Sequence, residues 1–270
     1  MFDEDWDTLV VLGACRYDIF ESMSQLKGTL SSRISRGSST VEWLQANFNG
    51  RDLRNTVYVT ANPQLEQNRD KWDITLYETF NVWLDDGWDD ETGTVRAETM
   101  TEAALDAAEQ FLHKRLVVHY MQPHYPFVPA DTGVDKDHLR QIDSGRPSEE
   151  NIWGQMFNGD LELSRDELWS IYVENLEYAL EHVAELLEAL SGKTVVTSDH
   201  GNYVGERASP IPIREYGHPR GLYDEPVVRV PWLVYEDGSR RDIRTGDADS
   251  TDDIESSVVT DRLQDLGYRS

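Results

Sequence analysis

Apolar residues in this chain gather in short β-branched runs separated by stretches of longer period. Thr8-Leu9-Val10-Val11-Leu12 is almost continuously apolar and closes on Gly13-Ala14-Cys15. Thr56 to Thr60, Arg115 to Tyr120, Lys193 to Thr197 and the stretch from Val227 to Tyr235 repeat the pattern. Such runs suit strands covered on both faces, as in a parallel sheet. Tyr17 to Met23, Val41 to Phe48, Thr99 to His113 and Arg165 to Leu190 predict helices between them. In the last, Leu168, Ile171, Tyr172, Leu176, Leu180 and Val183 recur at helical spacing and mark one buried face. Ile254 to Leu266 predicts a short amphipathic helix that packs back on the body.

Strands alternating with helices predict an α/β fold: a three-layer sandwich with a mostly parallel central sheet and helices on both faces. One domain over 1–270 is expected, with 236–253 as an acidic linker and 254–270 carrying the last helix. Other stretches predict no regular element. Ser31 to Thr40 reads as a polar loop, with Thr40 as N-cap of the following helix. Asp70 to Thr94 is aromatic and acidic without a clear period. Asp131 to Leu163 reads as a surface excursion. Gly201 to Leu222, with Pro210, Pro212 and Pro219, reads as a loop.

Charge changes this picture in one respect. The chain carries 51 Asp and Glu against 25 Lys and Arg, a net charge of -26. With 39% hydrophobic residues, 8 Trp and 12 Tyr, it still has a core to bury, which argues against disorder. Distributed acidity argues against duplex nucleic acid as a partner, since binding it requires phosphates to be neutralised. It predicts adaptation to the salt-rich cytoplasm of a salt-accumulating halophile, where screening makes self-repulsion tolerable. An anionic substrate would then need local positive charge from a metal, an Arg or a helix N-terminus. The single Cys15 leaves no intramolecular disulfide and no multi-cysteine metal site. No apolar run is long enough to span a membrane, and no secretory h-region opens the chain, so a cytoplasmic protein is expected.

In such folds ligands bind beyond the C-terminal ends of the strands. Gly13, His124 and Asp199 all fall there. Asp199 and His200 close a buried run and precede Gly201, which lets backbone approach closely; an adjacent carboxylate and imidazole suit a divalent cation. The plainer alternative is an Asp capping a turn beside a packed His. Thr40, at a helix N-terminus, is a candidate nucleophile among free N–H groups, or simply a cap; Ser38 and Ser39 compete with it. His124, pinned between Pro123 and Pro126, and His218, in Tyr216-Gly217-His218-Pro219, are candidates for contact with an anionic substrate. His119 and Cys15 read as core residues. Arg16 and Asp18 are expected to pair with each other or to orient the site.

Several stretches in order carry a resemblance: Leu9 through Asp18, Ser38-Ser39-Thr40, Met121 through Phe127, Thr197-Ser198-Asp199-His200-Gly201-Asn202, Gly217-His218 and Val230-Pro231. Together the sequence resembles the alkaline phosphatase superfamily in its sulfatase-like branch. The resemblance implies metal-dependent hydrolysis or transfer of phosphate esters, less readily sulfate esters, through a Thr40 nucleophile. It implies one divalent ion (Mn, Ca, Mg or Zn) on Asp199, His200 and Thr40, with His124 and His218 on an anionic ester substrate. In that family the first strand ends in a metal-ligating Asp, and here Gly13 stands in its place. A second reading follows: a catalytically impaired member that binds an anion or a partner protein. The chain has no Cys/Ser-x-Pro-x-Arg motif and no Asp-x-x-x-His; Asn175 and Ala179 occupy the corresponding helix, which fits a single-metal arrangement.

Overall fold

The computed structural model describes residues 1–129, 152–161, 163–246 and 254–268. Its strands are β1 (Thr8–Gly13), β2 (Thr29–Ile34), β3 (Arg51–Thr60), β4 (Ile74–Asn81), β5 (Arg115–Pro123), β6 (Gly192–Ser198), β7 (Tyr203–Arg207), β8 (Arg214–Gly217) and β9 (Arg229–Asp237). The α-helices are α1 (Tyr17–Met23), α2 (Thr40–Phe48), α3 (Gln64–Asn68), α4 (Ala97–Gln110), α5 (Ile152–Asn158), α6 (Arg165–Ala189), α7 (Glu225–Val228) and α8 (Ser256–Asp265). Seven strands form one sheet in the order β2-β9-β6-β1-β5-β3-β4, and β7 and β8 form a separate hairpin. β6, β1, β5, β3 and β4 run parallel to one another, while β9 lies antiparallel to both β6 and β2.

Side-chain alternation on β1 divides the core into two layers. Leu9 and Val11 face Trp43, Leu44 and Phe48 of α2, while Val10 and Leu12 face a larger cluster fed by α4 and α6. Helices therefore cover both faces of a mostly parallel sheet, as the alternation of runs predicts. Each such fully buried aliphatic side chain contributes about 1.5–3 kcal/mol. α6 begins at a capping box, with the Ser164 hydroxyl accepting from the Glu167 N–H and the Glu167 carboxylate accepting from the Ser164 N–H. Val259, Leu263 and Leu266 anchor the last helix to the larger cluster. Among the described residues no helix is long and apolar enough to cross a membrane.

Four expectations need correction. The polar loop expected from Ser31 begins as strand β2, paired with β9 from Thr29↔Val234 to Ile34↔Arg229. The aperiodic Asp70–Thr94 segment contains β4, and the Gly201–Leu222 loop contains β7 and β8. β2 and β4 are edge strands of largely half-buried and exposed residues, so they lack the continuous apolar run of a central strand. Ser39, not Thr40, is the N-cap of α2, and Thr40 is its first helical residue. Most of the expected excursion over Asp131–Leu163, and 247–253 of the expected linker, lie outside the described residues.

Candidate functional site

β1, β5 and β6 end side by side, and their termini deliver the candidate residues to one place. Asp199 follows β6 and is wholly buried. Its two oxygens have different tasks. Oδ1 accepts from the backbone N–H groups of Ala14 (2.9 Å) and His200 (2.8 Å). Oδ2 accepts from the Thr40 hydroxyl at 2.7 Å and stands 3.3 Å from His200 Nε2 and 3.6 Å from His119 Nε2. Burial alone would push the Asp199 carboxyl up. The His200 and His119 imidazoles and the Thr40 hydroxyl outweigh it and hold the group well below the usual carboxylate range.

The proton positions on His200 follow from its partners. Nδ1 lies 2.8 Å from the Gly201 carbonyl, an acceptor only, so Nδ1 carries the proton in the neutral ring. Nε2 therefore turns a lone pair toward Thr40 Oγ1 at 3.3 Å and toward Asp199 Oδ2. The 3.3 Å contact between Nε2 and Oδ2 is satisfied by a positive charge between them, which either a proton or a cation supplies. A backbone-bound Nδ1–H with a free Nε2 is also the tautomer that metal-ligating histidines adopt. The donors at this point are one carboxylate, one imidazole and one hydroxyl, a set that fits a single divalent cation. Among the described residues no three His, Cys, Asp or Glu side chains are grouped to hold a metal, so a third protein ligand could come only from another residue type such as the Thr40 hydroxyl.

Thr40 is only 1% exposed, yet it lines a cavity of about 240 Å³ together with Ser39, Trp153, Tyr216, His218 and Tyr268. Of the competing hydroxyls, Ser38 is occupied in tying down the loop: its Oγ bonds Glu42, the Pro219 carbonyl and the Gly221 N–H. Ser39 Oγ is buried without a partner. Thr40 is the hydroxyl that meets Asp199.

His124 and His218 form a pair, with their Nε2 atoms 2.9 Å apart. His124 Nδ1 lies 2.5 Å from the Tyr125 carbonyl and so carries that ring's proton. His218 Nε2–H is then the donor of the pair, and its Nδ1 is buried without a partner. Burial pushes His124 down to about 4 and His218 well below its ordinary value, so both rings are neutral near pH 7. His218 lines the cavity and His124 stands behind it, bonded to it through Nε2; an anion in the cavity would take the His218 Nε2–H away from His124. Asn175 of α6 fixes the segment carrying His124. Its amide donates to the Pro123 and His124 carbonyls, both at 3.1 Å, and its oxygen accepts from the Val128 N–H.

Gly13 ends β1 beside Ala14, whose N–H holds Asp199. A Cβ at position 13 would overlap the Met121 carbonyl oxygen and stand 3.0 Å from its carbon and 3.1 Å from Tyr120 O. Glycine there is a matter of space between β1 and β5. Arg16 and Asp18 do pair, at 2.6 Å, and the Arg16 guanidinium also reaches Glu206 at 2.7 Å and the Asn202 carbonyl. That network fastens the end of β1 to the loop after His200. Cys15 is buried, as expected.

Two site residues escape sequence reasoning. His119 is fully buried, as a core residue is, but its Nε2 has no hydrogen-bond partner and faces Asp199, while Nδ1 is held by the Tyr58 hydroxyl at 2.7 Å. The signal was strand alternation: residue 119 shares a face with Val117, on the side of the sheet that α2 covers. Tyr268 enters from beyond α8 and sets its hydroxyl 3.4 Å from Thr40 Oγ1. Nothing in its sequence neighbourhood marks it.

No protein-family model matches this sequence, and no curated protein matches it. Solved structures do resemble it. An integral membrane lipooligosaccharide phosphoethanolamine transferase A from Neisseria meningitidis superposes with a TM-score of 0.52 at 13% identity, covering 84% of this chain and 47% of that one. The C-terminal periplasmic domain of EptC from Escherichia coli, in complex with Zn, gives 0.45 at 13% identity over 84% and 72% of the two chains. The lipoteichoic acid synthase LtaP from Listeria monocytogenes gives 0.45 at 13% identity over 87% and 66%. This chain spans 47% of the length of the Neisseria protein. The likeness to that protein is one of fold, and the fold is the α/β sandwich that the sequence resemblance implies.

Proposed function

We propose that this protein hydrolyses or transfers phosphate esters, with sulfate esters less favoured, through Thr40 as nucleophile. The observation that carries the reading is the convergence of Thr40 Oγ1, Asp199 Oδ2 and His200 Nε2 within 2.7–3.3 Å at the first turn of α2. Asp199, His200 and Thr40 would hold one divalent cation, which when bound supplies positive charge to the hydroxyl and to the ester's oxygens. Because Asp199 Oδ2 and His200 Nε2 would then be ligands, Thr40 loses its proton to solvent and forms an O–P bond as the ester O–P bond breaks and the departing alkoxide takes a proton from water. Water or an acceptor alcohol then breaks that O–P bond and frees the threonine. His218 Nε2–H and the first turn of α2 are the groups that would meet the anion's oxygens. The fold shared with a phosphoethanolamine transferase supports transfer as well as hydrolysis. Thr40→Ala should fold normally and lower turnover of p-nitrophenyl phosphate esters by about 10³-fold or more; unchanged turnover would remove Thr40 from the mechanism.

A second reading, a catalytically weak anion-binding protein, has one observation behind it. The missing carboxylate at position 13 has no room in this backbone. Retained orthovanadate binding without turnover of any ester, in protein equilibrated with Mn or Zn, would favour this reading over the first.

A further inference from the structure

We propose that the Tyr268 phenol is a catalytic donor that holds Thr40 for attack and then hydrogen-bonds an oxygen of the transferred group. The inference rests on the Thr40 reading and adds to it a group from a distant part of the chain. Hydrogen-bond accounting carries it. The Asn62 side-chain oxygen accepts from the Gln64 N–H at 2.9 Å, which fixes the amide's orientation. Its Nδ2 then donates to the Tyr268 oxygen at 3.2 Å. The phenol must send its own proton elsewhere, and Thr40 Oγ1 lies 3.4 Å away. Thr40 in turn gives its proton to Asp199 Oδ2 at 2.7 Å and keeps lone pairs free to accept. The chain therefore runs one way: Asn62 to Tyr268 to Thr40 to Asp199.

The ring is held as firmly as the hydroxyl. It stacks on His124, with centroids 5.2 Å apart and planes 18° from parallel. Behind it Gly267, at a φ of +75°, turns the chain out of α8, and the Tyr268 N–H bonds the Leu263 carbonyl at 2.8 Å. Leu263 and Leu266 are fully buried, so the helix that carries the phenol is anchored in the core. When an ester enters the cavity, the phenol proton passes from Thr40 to a non-bridging oxygen, which frees the lone pair that attacks.

The test uses the full chain with Tyr268→Phe, Tyr268→Ala and Thr40→Ala. The readouts are turnover of bis(p-nitrophenyl) phosphate and calorimetric binding of orthovanadate. Tyr268→Phe keeps the stacked ring. It is expected to lower kcat by about 10²-fold, in the range for loss of one preorganised donor, with KM within about threefold. Vanadate affinity should fall by about tenfold. Wild-type kcat and vanadate affinity in Tyr268→Phe would overturn the proposal, and so would faster turnover in Tyr268→Ala, which would make the ring a lid. Loss in Tyr268→Phe with full turnover in Thr40→Ala would sink the threonine nucleophile and leave the phenol as donor to the anion. Absence of both turnover and vanadate binding in the wild type would overturn both.

Discussion

Replacing Gly13 by Ala tests whether the end of β1 is glycine for reasons of space. The added Cβ would overlap the Met121 carbonyl oxygen, 3.0 Å from its carbon. Relief needs β1 and β5 to part by about 1 Å, and strain of this kind costs about 1–3 kcal/mol. The His124 N–H donates to the Gly13 carbonyl at 3.0 Å in the same spot, and weakening that bond costs about 1 kcal/mol more. The sum, about 2–4 kcal/mol, corresponds to a fall in Tm of about 5–10 °C for a chain of this size. Differential scanning calorimetry in molar salt reads it directly. Gly13→Asp should fall at least as far, because its carboxylate is pressed into a buried cluster that already holds Asp199. Added Zn or Mn should not lift that variant above the wild type. An Ala variant within about 1 °C of wild type, or an Asp variant that Zn or Mn raises above it, would refute the steric argument. The second outcome would also restore position 13 as a ligand site.

Two other predictions concern the groups around the cavity. Asn175→Leu keeps the branched heavy-atom skeleton but leaves the Pro123 and His124 carbonyls and the Val128 N–H without their partner. At about 1–3 kcal/mol for each unsatisfied buried group, the loss should reach several kcal/mol. It should appear as a lower Tm together with weaker vanadate binding, and an unchanged Tm would show that the amide is not holding this segment. His124 is pushed down to about 4 by burial against an ordinary value near 6.5, so the unfolded chain takes up its proton first as pH falls. Stability is therefore full above about pH 6.5, declines toward pH 4 by about 3 kcal/mol, and levels off for this group below that. Urea midpoints across this window should lose that slope in His124→Asn; an equal slope in the variant would place the proton uptake elsewhere.

The central strands were legible because burial on both faces leaves a run that nothing else explains. β1, β5 and β6 coincide with the apolar stretches to within a few residues, and they carry Gly13, His124 and Asp199. β2 and β4 were not legible, because an edge strand needs only half its side chains inside. Ser31, Ser32 and Arg33 therefore read as loop. The site divides in the same way. Asp199, His200, His124 and His218 announce themselves by residue type and by Gly and Pro neighbours. Thr40 was found by its place at a helix start, although Ser39 proved to be the cap. His119 was placed correctly in the core, but whether a core imidazole faces a leucine or a carboxylate is decided across strands. Tyr268 lies 228 residues from the hydroxyl it meets, and only the packing of Leu263 and Leu266 brings it there.

The split duties of the Asp199 oxygens bear on ion choice. With Oδ1 held by two backbone N–H groups, the carboxylate cannot rotate to offer both oxygens to one ion. It can coordinate only one-handed, through Oδ2. Calcium sites lean on carboxylates that grip with both oxygens and on six to eight ligands in all. One single-point carboxylate, one imidazole and one hydroxyl make a crowded, low-coordination seat, with a nitrogen that calcium does not favour. If these three residues hold an ion as proposed, the rigidity of two peptide N–H groups would turn the seat against large hard ions and toward a small one of zinc's type.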